Sequence, residues 1–165
     1  VSSDFLQKNI NKSLEQNKIN LNHMISKISN IKDHNIKLYI SCVNQCPIIG
    51  KINTINIINE ILFYYYTYEN LTTICLSDTC GTLTYLEFKE IIDTLCDRSI
   101  SMDKISLHLH NQENKEELNN IIQYALYKNI YNYDVSYMPD IGGCTLTIDN
   151  PTGNLGYEQI LDVYK

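Results

Sequence analysis

Ile105-Ser106-Leu107-His108-Leu109-His110 is the stretch on which the fold turns. Its alternate apolar residues read as a buried strand, Ile105 to Leu109. Its end carries two histidines two residues apart. In an extended strand, residues i and i+2 project to the same face. Both imidazoles therefore leave one side of the strand and are placed to grip a single metal ion. Spacing alone leaves a second reading open, a pair of hydrogen-bonded structural histidines.

Outward from this strand the chain alternates. Upstream lies a helix with Phe88, Ile91, Ile92 and Leu95 on one stripe, preceded by a strand from Thr72 to Leu76. Before these come a helix over Thr54 to Tyr66 and a strand from Ile36 to Val43, apolar enough to be buried on both faces. Ser13-Leu14-Glu15-Gln16 reads as a capping box, opening a helix with Leu21, Met24, Ile25 and Ile28 on one face. Downstream, Asn114-Lys115-Glu116-Glu117 reads as a cap with Glu at the third helical position. Its helix buries Leu118, Ile121, Ile122, Ala125 and Leu126. A strand near Tyr133 to Tyr137, a glycine-containing loop and a helix from about Leu155 close the chain.

One strand every 30–35 residues or so is one βα unit per period. Such runs give a parallel sheet, doubly wound or closed into a barrel. Asp78, His108, His110, Cys144 and Asn154 all fall at or beyond strand C-terminal ends, the habit of a (β/α)8 barrel. Four full strands are too few to close one. Val1-Ser2-Ser3-Asp4 reads as the end of a preceding strand. The expectation is an α/β protein, an incomplete TIM barrel over residues 1–165, with the last four to five βα units present and the first three or so missing.

Composition narrows the partners. The net charge of −6 gives a nucleic-acid partner no electrostatic support. Arg98 is the only arginine, so a bidentate clamp for phosphate is nearly absent. No apolar run is long enough for a membrane span. The six cysteines form no CxxC pair. They read as reduced thiols in an intracellular protein.

Several segments match one family in order. Lys8-Asn9-Ile10-Asn11 resembles its KNIN segment, and Ser41-Cys42-Val43 with Cys46-Pro47 and Gly50-Lys51-Ile52 resembles SCV…CP..GKI. Leu76-Ser77-Asp78-Thr79 with Gly81 resembles SLGDT.G, with Cys75 at the Ser position. Leu107-His108-Leu109-His110 resembles the VHCH strand end. Gly142-Gly143-Cys144 and Thr152-Gly153-Asn154-Leu155 resemble GGCP and SGN(V/L), with Glu158 at the acidic position that follows. The family is 3-hydroxy-3-methylglutaryl-CoA lyase, a metal-dependent aldolase-like TIM barrel.

The resemblance implies cleavage of a CoA thioester, 3-hydroxy-3-methylglutaryl-CoA, to acetyl-CoA and acetoacetate. It implies a divalent cation, Mg²⁺ or Mn²⁺ ahead of Zn²⁺, on His108, His110 and Asn154. Cys144, in a loop made pliable by Gly142 and Gly143, becomes the general acid, with Asp78 and His108 as catalytic partners. Glu158 stands behind Asn154. Bland readings stand beside these: Asp78 as a helix N-cap, Cys144 as a small buried hydrophobe, Glu158 as a solvated helix residue.

The departures keep two alternatives open. Asn111-Gln112 replaces Asp-Thr and resembles the Claisen-condensing relatives that make isopropylmalate and homocitrate. The changes at Cys75, Asn111 and Thr145, with no counterpart of the family's Arg-Asp strand end, fit a non-catalytic binding or structural module. Exposed strand edges favour pairing with another chain or a second copy, a homo-oligomer.

Overall fold

The apolar stripes and turn signals become helices α1 (Ser3–Ile10) and α2 (Leu14–Ile28) ahead of strand β1 (Ile36–Ser41). A short antiparallel ribbon, β2 (Gln45–Cys46) with β3 (Gly50–Lys51), precedes α3 (Thr54–Thr67). Then follow β4 (Leu71–Ser77), α4 (Tyr85–Asp97), a 3₁₀ turn (Met102–Lys104), β5 (Ile105–His108), α5 (Lys115–Tyr127), β6 (Asn132–Tyr133) and α6 (Tyr157–Val163). The computed structural model describes residues 1–28, 31, 34–138, 142, 146 and 153–164.

The four long-range strands lie side by side in chain order, β1-β4-β5-β6, all parallel. Parallel crossovers are right-handed, so connections that always step in one direction put their helices on one face. The contacts agree: α3 packs on α4, α4 on α5, and α5 on α6. The sheet is singly wound, without the reversal of a doubly wound one.

One face of the sheet is apolar and covered. Ile40, Ile74, Leu76, Ile105 and Leu107 meet Ile57, Ile61, Phe88, Ile91, Ile92 and Ile121, all buried. Each such side chain contributes about 1.5–3 kcal/mol relative to exposure. The other face carries Lys37, Tyr39, Ser41, Cys75, Ser77, Ser106 and His108, which alternate with the apolar set. The expectation that β1 is buried on both faces is therefore corrected. Its apolar letters include Tyr39, which is 52% exposed on the polar face.

Capping chemistry sets the helix starts. Thr84 and Glu87 form a reciprocal capping box on α4, and Glu87 also pairs with Lys51 of β3. Asn114 accepts from the backbone of Glu116 and Glu117. Glu117, expected to cap its own helix, instead accepts from the Tyr85 N–H at 2.6 Å and ties α5 to α4. Ser13 accepts from the Gln16 N–H at 3.1 Å.

Of Val1–Asp4, read as a strand end, Ser3 and Asp4 are helical, while the Val1 nitrogen donates to the Ser41 carbonyl at the end of β1 at 3.3 Å. Ser2 is extended and caps α1 by accepting from the Phe5 N–H, a helix the reading above missed. At the other end β6 is only two residues long, and α6 begins at Tyr157. Leu155 and Gly156 are held against the sheet instead: the Ser136 N–H donates to the Leu155 carbonyl, and the Tyr157 N–H to that of Ser136. Among the described residues no helix is long and apolar enough to cross a membrane.

Candidate functional site

Parallel register lines the polar side chains into rungs across the strands. Ser41, Ser77 and His108 are successive partners in one rung, and Tyr39, Cys75 and Ser106 form the rung below. Beyond the strand end, His110 bridges Asn154 in antiparallel fashion. The Asn111 N–H donates to the Gly153 carbonyl at 2.8 Å, and the Leu155 N–H to that of Leu109 at 3.0 Å. These bonds bring Asn154 back over the two histidines. A cavity of about 430 Å³ results, lined by Phe5, Tyr39, Ser41, Ser77, Thr79, His108, His110, Gly142 and Asn154.

The imidazole rings are 5.0 Å apart, centroid to centroid, and steeply inclined. His110 Nδ1 lies 2.6 Å from the Asp78 carbonyl oxygen, and His108 Nδ1 lies 3.4 Å from that of Asp134. A carbonyl only accepts, so each Nδ1 carries the proton and each Nε2 presents a lone pair. His110 Nε2 is buried and has no hydrogen-bond partner among the described residues. Burial, and then the neighbouring His110, hold His108 below the ordinary imidazole value, which keeps it neutral as a ligand must be. Two lone pairs with backbone-anchored Nδ1 protons and a nearby carboxamide are the donor chemistry a divalent cation needs. Among the described residues no cluster of three or more His, Cys, Asp or Glu side chains is suited to a metal. An amide oxygen would complete this set.

Asn154 is placed by its surroundings. Gly142 has φ +82°, and a Cβ there would collide with the Asn154 amide, so both backbone angle and space require glycine. Asn111 Nδ2 donates to the Asn154 carbonyl at 3.4 Å, and Asn111 Oδ1 accepts from Gln159 Nε2 at 2.7 Å. Glu158, expected behind Asn154, is exposed on α6. One position along the helix, Gln159 is half-buried and reaches Asn111 rather than Asn154 itself. Gly143 and Cys144 lie outside the described residues.

Asp78 is fully buried, but its carboxylate does not line the cavity. It accepts from the Thr82 and Leu83 N–H groups at 3.1 and 3.0 Å and from Gln112 Nε2 at 3.3 Å. Burial raises its pKa, against the pull of those hydrogen bonds. It is not the N-cap of α4, which is Thr84. It folds the 78–83 loop, and its backbone carbonyl aims His110.

Sequence reasoning passed over two features. Lys37 and Tyr39 both bind the Asp134 carboxylate, Tyr39 from 2.5 Å, and the Tyr39 ring sits edge-on to His108. Ser77 stands between Ser41 and His108. The signal for both was a second alternation, polar residues at every other position in β1, β4 and β5, hidden by the apolar one.

No family model matches the sequence, and neither does any curated protein. Solved structures do. The HMG-CoA lyase from Acinetobacter baumannii, in complex with coenzyme A and 3-methylmalate, superposes with a TM-score of 0.80 at 19% identity, over 98% of this chain and 50% of that one. The hydroxymethylglutaryl-CoA lyase from Pseudomonas aeruginosa gives 0.77 at 23%, over 98% and 51%. The HMG-CoA lyase from Brucella melitensis gives 0.79 at 22%, over 98% and 54%. This chain spans about half the length of these proteins, and over that half its fold is that of the HMG-CoA lyases.

Proposed function

We propose that this chain carries the metal-binding part of a retro-Claisen lyase acting on a 3-hydroxyacyl-CoA, with 3-hydroxy-3-methylglutaryl-CoA as the type substrate. The observation that carries it is His110 Nε2, buried and without a hydrogen-bond partner among the described residues, in a cavity wall shared with His108 and Asn154. The sheet is read as part of a (β/α)8 barrel, with the cavity at the strand C-terminal ends where such barrels work. The A. baumannii lyase holds coenzyme A and a small hydroxy diacid, and this reading brings the same two ligand classes here.

His108, His110 and Asn154 would hold Mg²⁺ or Mn²⁺. When bound, the cation supplies Lewis-acid stabilisation of the oxygen that becomes a carbonyl. Asp78 and Asp134 hold the imidazoles in the ligating tautomer through their backbone carbonyls. The hydroxyl proton leaves, the C2–C3 bond breaks, and the departing thioester enolate takes a proton at carbon. Cys144 is the donor for that step, in keeping with the resemblance. The Asn111 amide bridges Gln159 and Asn154, which accounts for an asparagine at this position without a condensing reaction.

A second reading, a non-catalytic module, draws on Arg98, the one arginine of this sequence, which caps the C-terminus of α4 and does not line the cavity. Equilibrium dialysis with Mn²⁺ tests the first. His108→Ala and His110→Ala should each weaken binding by at least about a hundredfold, and binding unchanged in both removes the ligand assignment. Acetyl-CoA release that persists in Cys144→Ala removes the acid; no release by the metal-loaded chain favours the module.

A further inference from the structure

The two rungs of the polar face differ in what they leave open. In the lower one, Asp134 is claimed by Lys37 and by the Tyr39 hydroxyl at 2.5 Å, and the Cys75 thiol lies 3.7 Å from the same carboxylate. These groups satisfy one another and close the floor. Ser106 Oγ in this rung is without a hydrogen-bond partner among the described residues, but it is fully buried and does not line the cavity. In the upper rung Ser77 is only 4% exposed and lines the cavity, yet its Oγ has no hydrogen-bond partner among the described residues. A buried hydroxyl that lines a cavity has room on that side for a partner the protein does not supply.

The lining also says what kind of oxygen that partner has. Ser41, Ser77 and Thr79 offer hydroxyls, and no carboxylate side chain is among the lining residues described. Asp78 is turned into its own loop. Hydroxyl donors without a competing acid suit an anionic oxygen. In the motif this strand resembles, the serine stands at position 75 and a glycine at position 77. Here the hydroxyl has moved two residues toward the strand end, about 6–7 Å, and Cys75 has joined the floor.

We infer that Ser77 sets substrate length: it receives the carboxylate of a hydroxy diacid shorter than a glutaryl, one whose carboxylate sits on the carbinol carbon. This rests on the retro-Claisen reading and narrows it. Cleavage of such a thioester breaks the same C2–C3 bond. The carbinol loses its proton and becomes the keto group of a 2-oxo acid, while C2, alpha to the thioester, keeps the electron pair of the broken bond and takes up a proton.

Calorimetric titration of the 165-residue chain with malate and with 3-hydroxyglutarate, once with Mn²⁺ and once with EDTA, tests it. Malate should bind more tightly than 3-hydroxyglutarate. Ser77→Gly should weaken malate about tenfold or more, Ser77→Thr should retain it, and Cys75→Ser with Ser77→Gly should reverse the preference. Mn²⁺ affinity by dialysis should stay within about twofold in all three. Equal malate binding by Ser77→Gly and wild type, tighter 3-hydroxyglutarate in wild type, or no binding of either acid overturns the inference. If Mn²⁺ is not bound but Ser77-dependent malate binding appears in EDTA, the metal reading falls and this one stands. If Mn²⁺ binds and Ser77→Gly changes nothing, only this one falls.

Discussion

Asp78 acts through two different atoms, and separating them makes a test. Its carboxylate accepts two backbone N–H groups and Gln112; its carbonyl aims His110. Asp78→Ala strips the first set and keeps the second. Urea unfolding should show a loss of about 1–3 kcal/mol, while Mn²⁺ affinity stays near wild type; a collapse of affinity without loss of stability would show the carboxylate at work in the site. Asp134 makes a second case. Burial pushes its carboxyl up, but the Lys37 and Tyr39 hydrogen bonds outweigh that and hold it below the usual value. A depressed folded pKa contributes stability above the unfolded value and loses it as pH falls through the folded one. The Tm gap between wild type and Asp134→Asn should therefore be widest near neutrality and close below about pH 4. A gap that is constant with pH would rule the ion pair out as its source.

Among the elements, α4 shows how local chemistry and tertiary packing share one helix. Thr84 and Glu87 cap it, Lys51 of the β2–β3 ribbon holds Glu87, and Glu117 of α5 accepts from its first N–H, that of Tyr85. Phe88, Ile91, Ile92 and Leu95 then bury one stripe. Thr84→Ala should cost about 1 kcal/mol by chemical denaturation, and a cost near zero would mean that Glu117 alone secures this end. The stripe and the cap were legible because period 3.6 and the S/T-x-x-E spacing are local signals. α1 escaped because its eight residues carry one buried side chain, Phe5, too little for a periodic signal. β6 was read too long because Tyr133–Tyr137 has strand-like residues, while only Asn132 and Tyr133 find a partner strand and Ser136 meets Gly156 alone.

At the scale of the whole molecule, the sheet is parallel, singly wound and covered by helices on one face. Parallel sheets are almost always covered on both. Here the second face is polar, and β1 pairs with β4 alone among the described strands. Such an edge is a template for further pairing. Sedimentation velocity of the isolated chain at micromolar concentration should show species heavier than the 19.1 kDa monomer; a purely monomeric boundary would show that this edge protects itself.

The sequence alone determined the alternation of strands and helices, the helix caps, and the two imidazoles on one side of a strand end, because each depends on residues a few positions apart. Which polar side chains share a rung, that Ser77 lines the cavity, and that Gln159 rather than Glu158 holds the Asn111 amide beside Asn154 were decided by tertiary structure. Those relations join residues 30 to 100 or so positions apart through strand register and loop return. No local pattern encodes them.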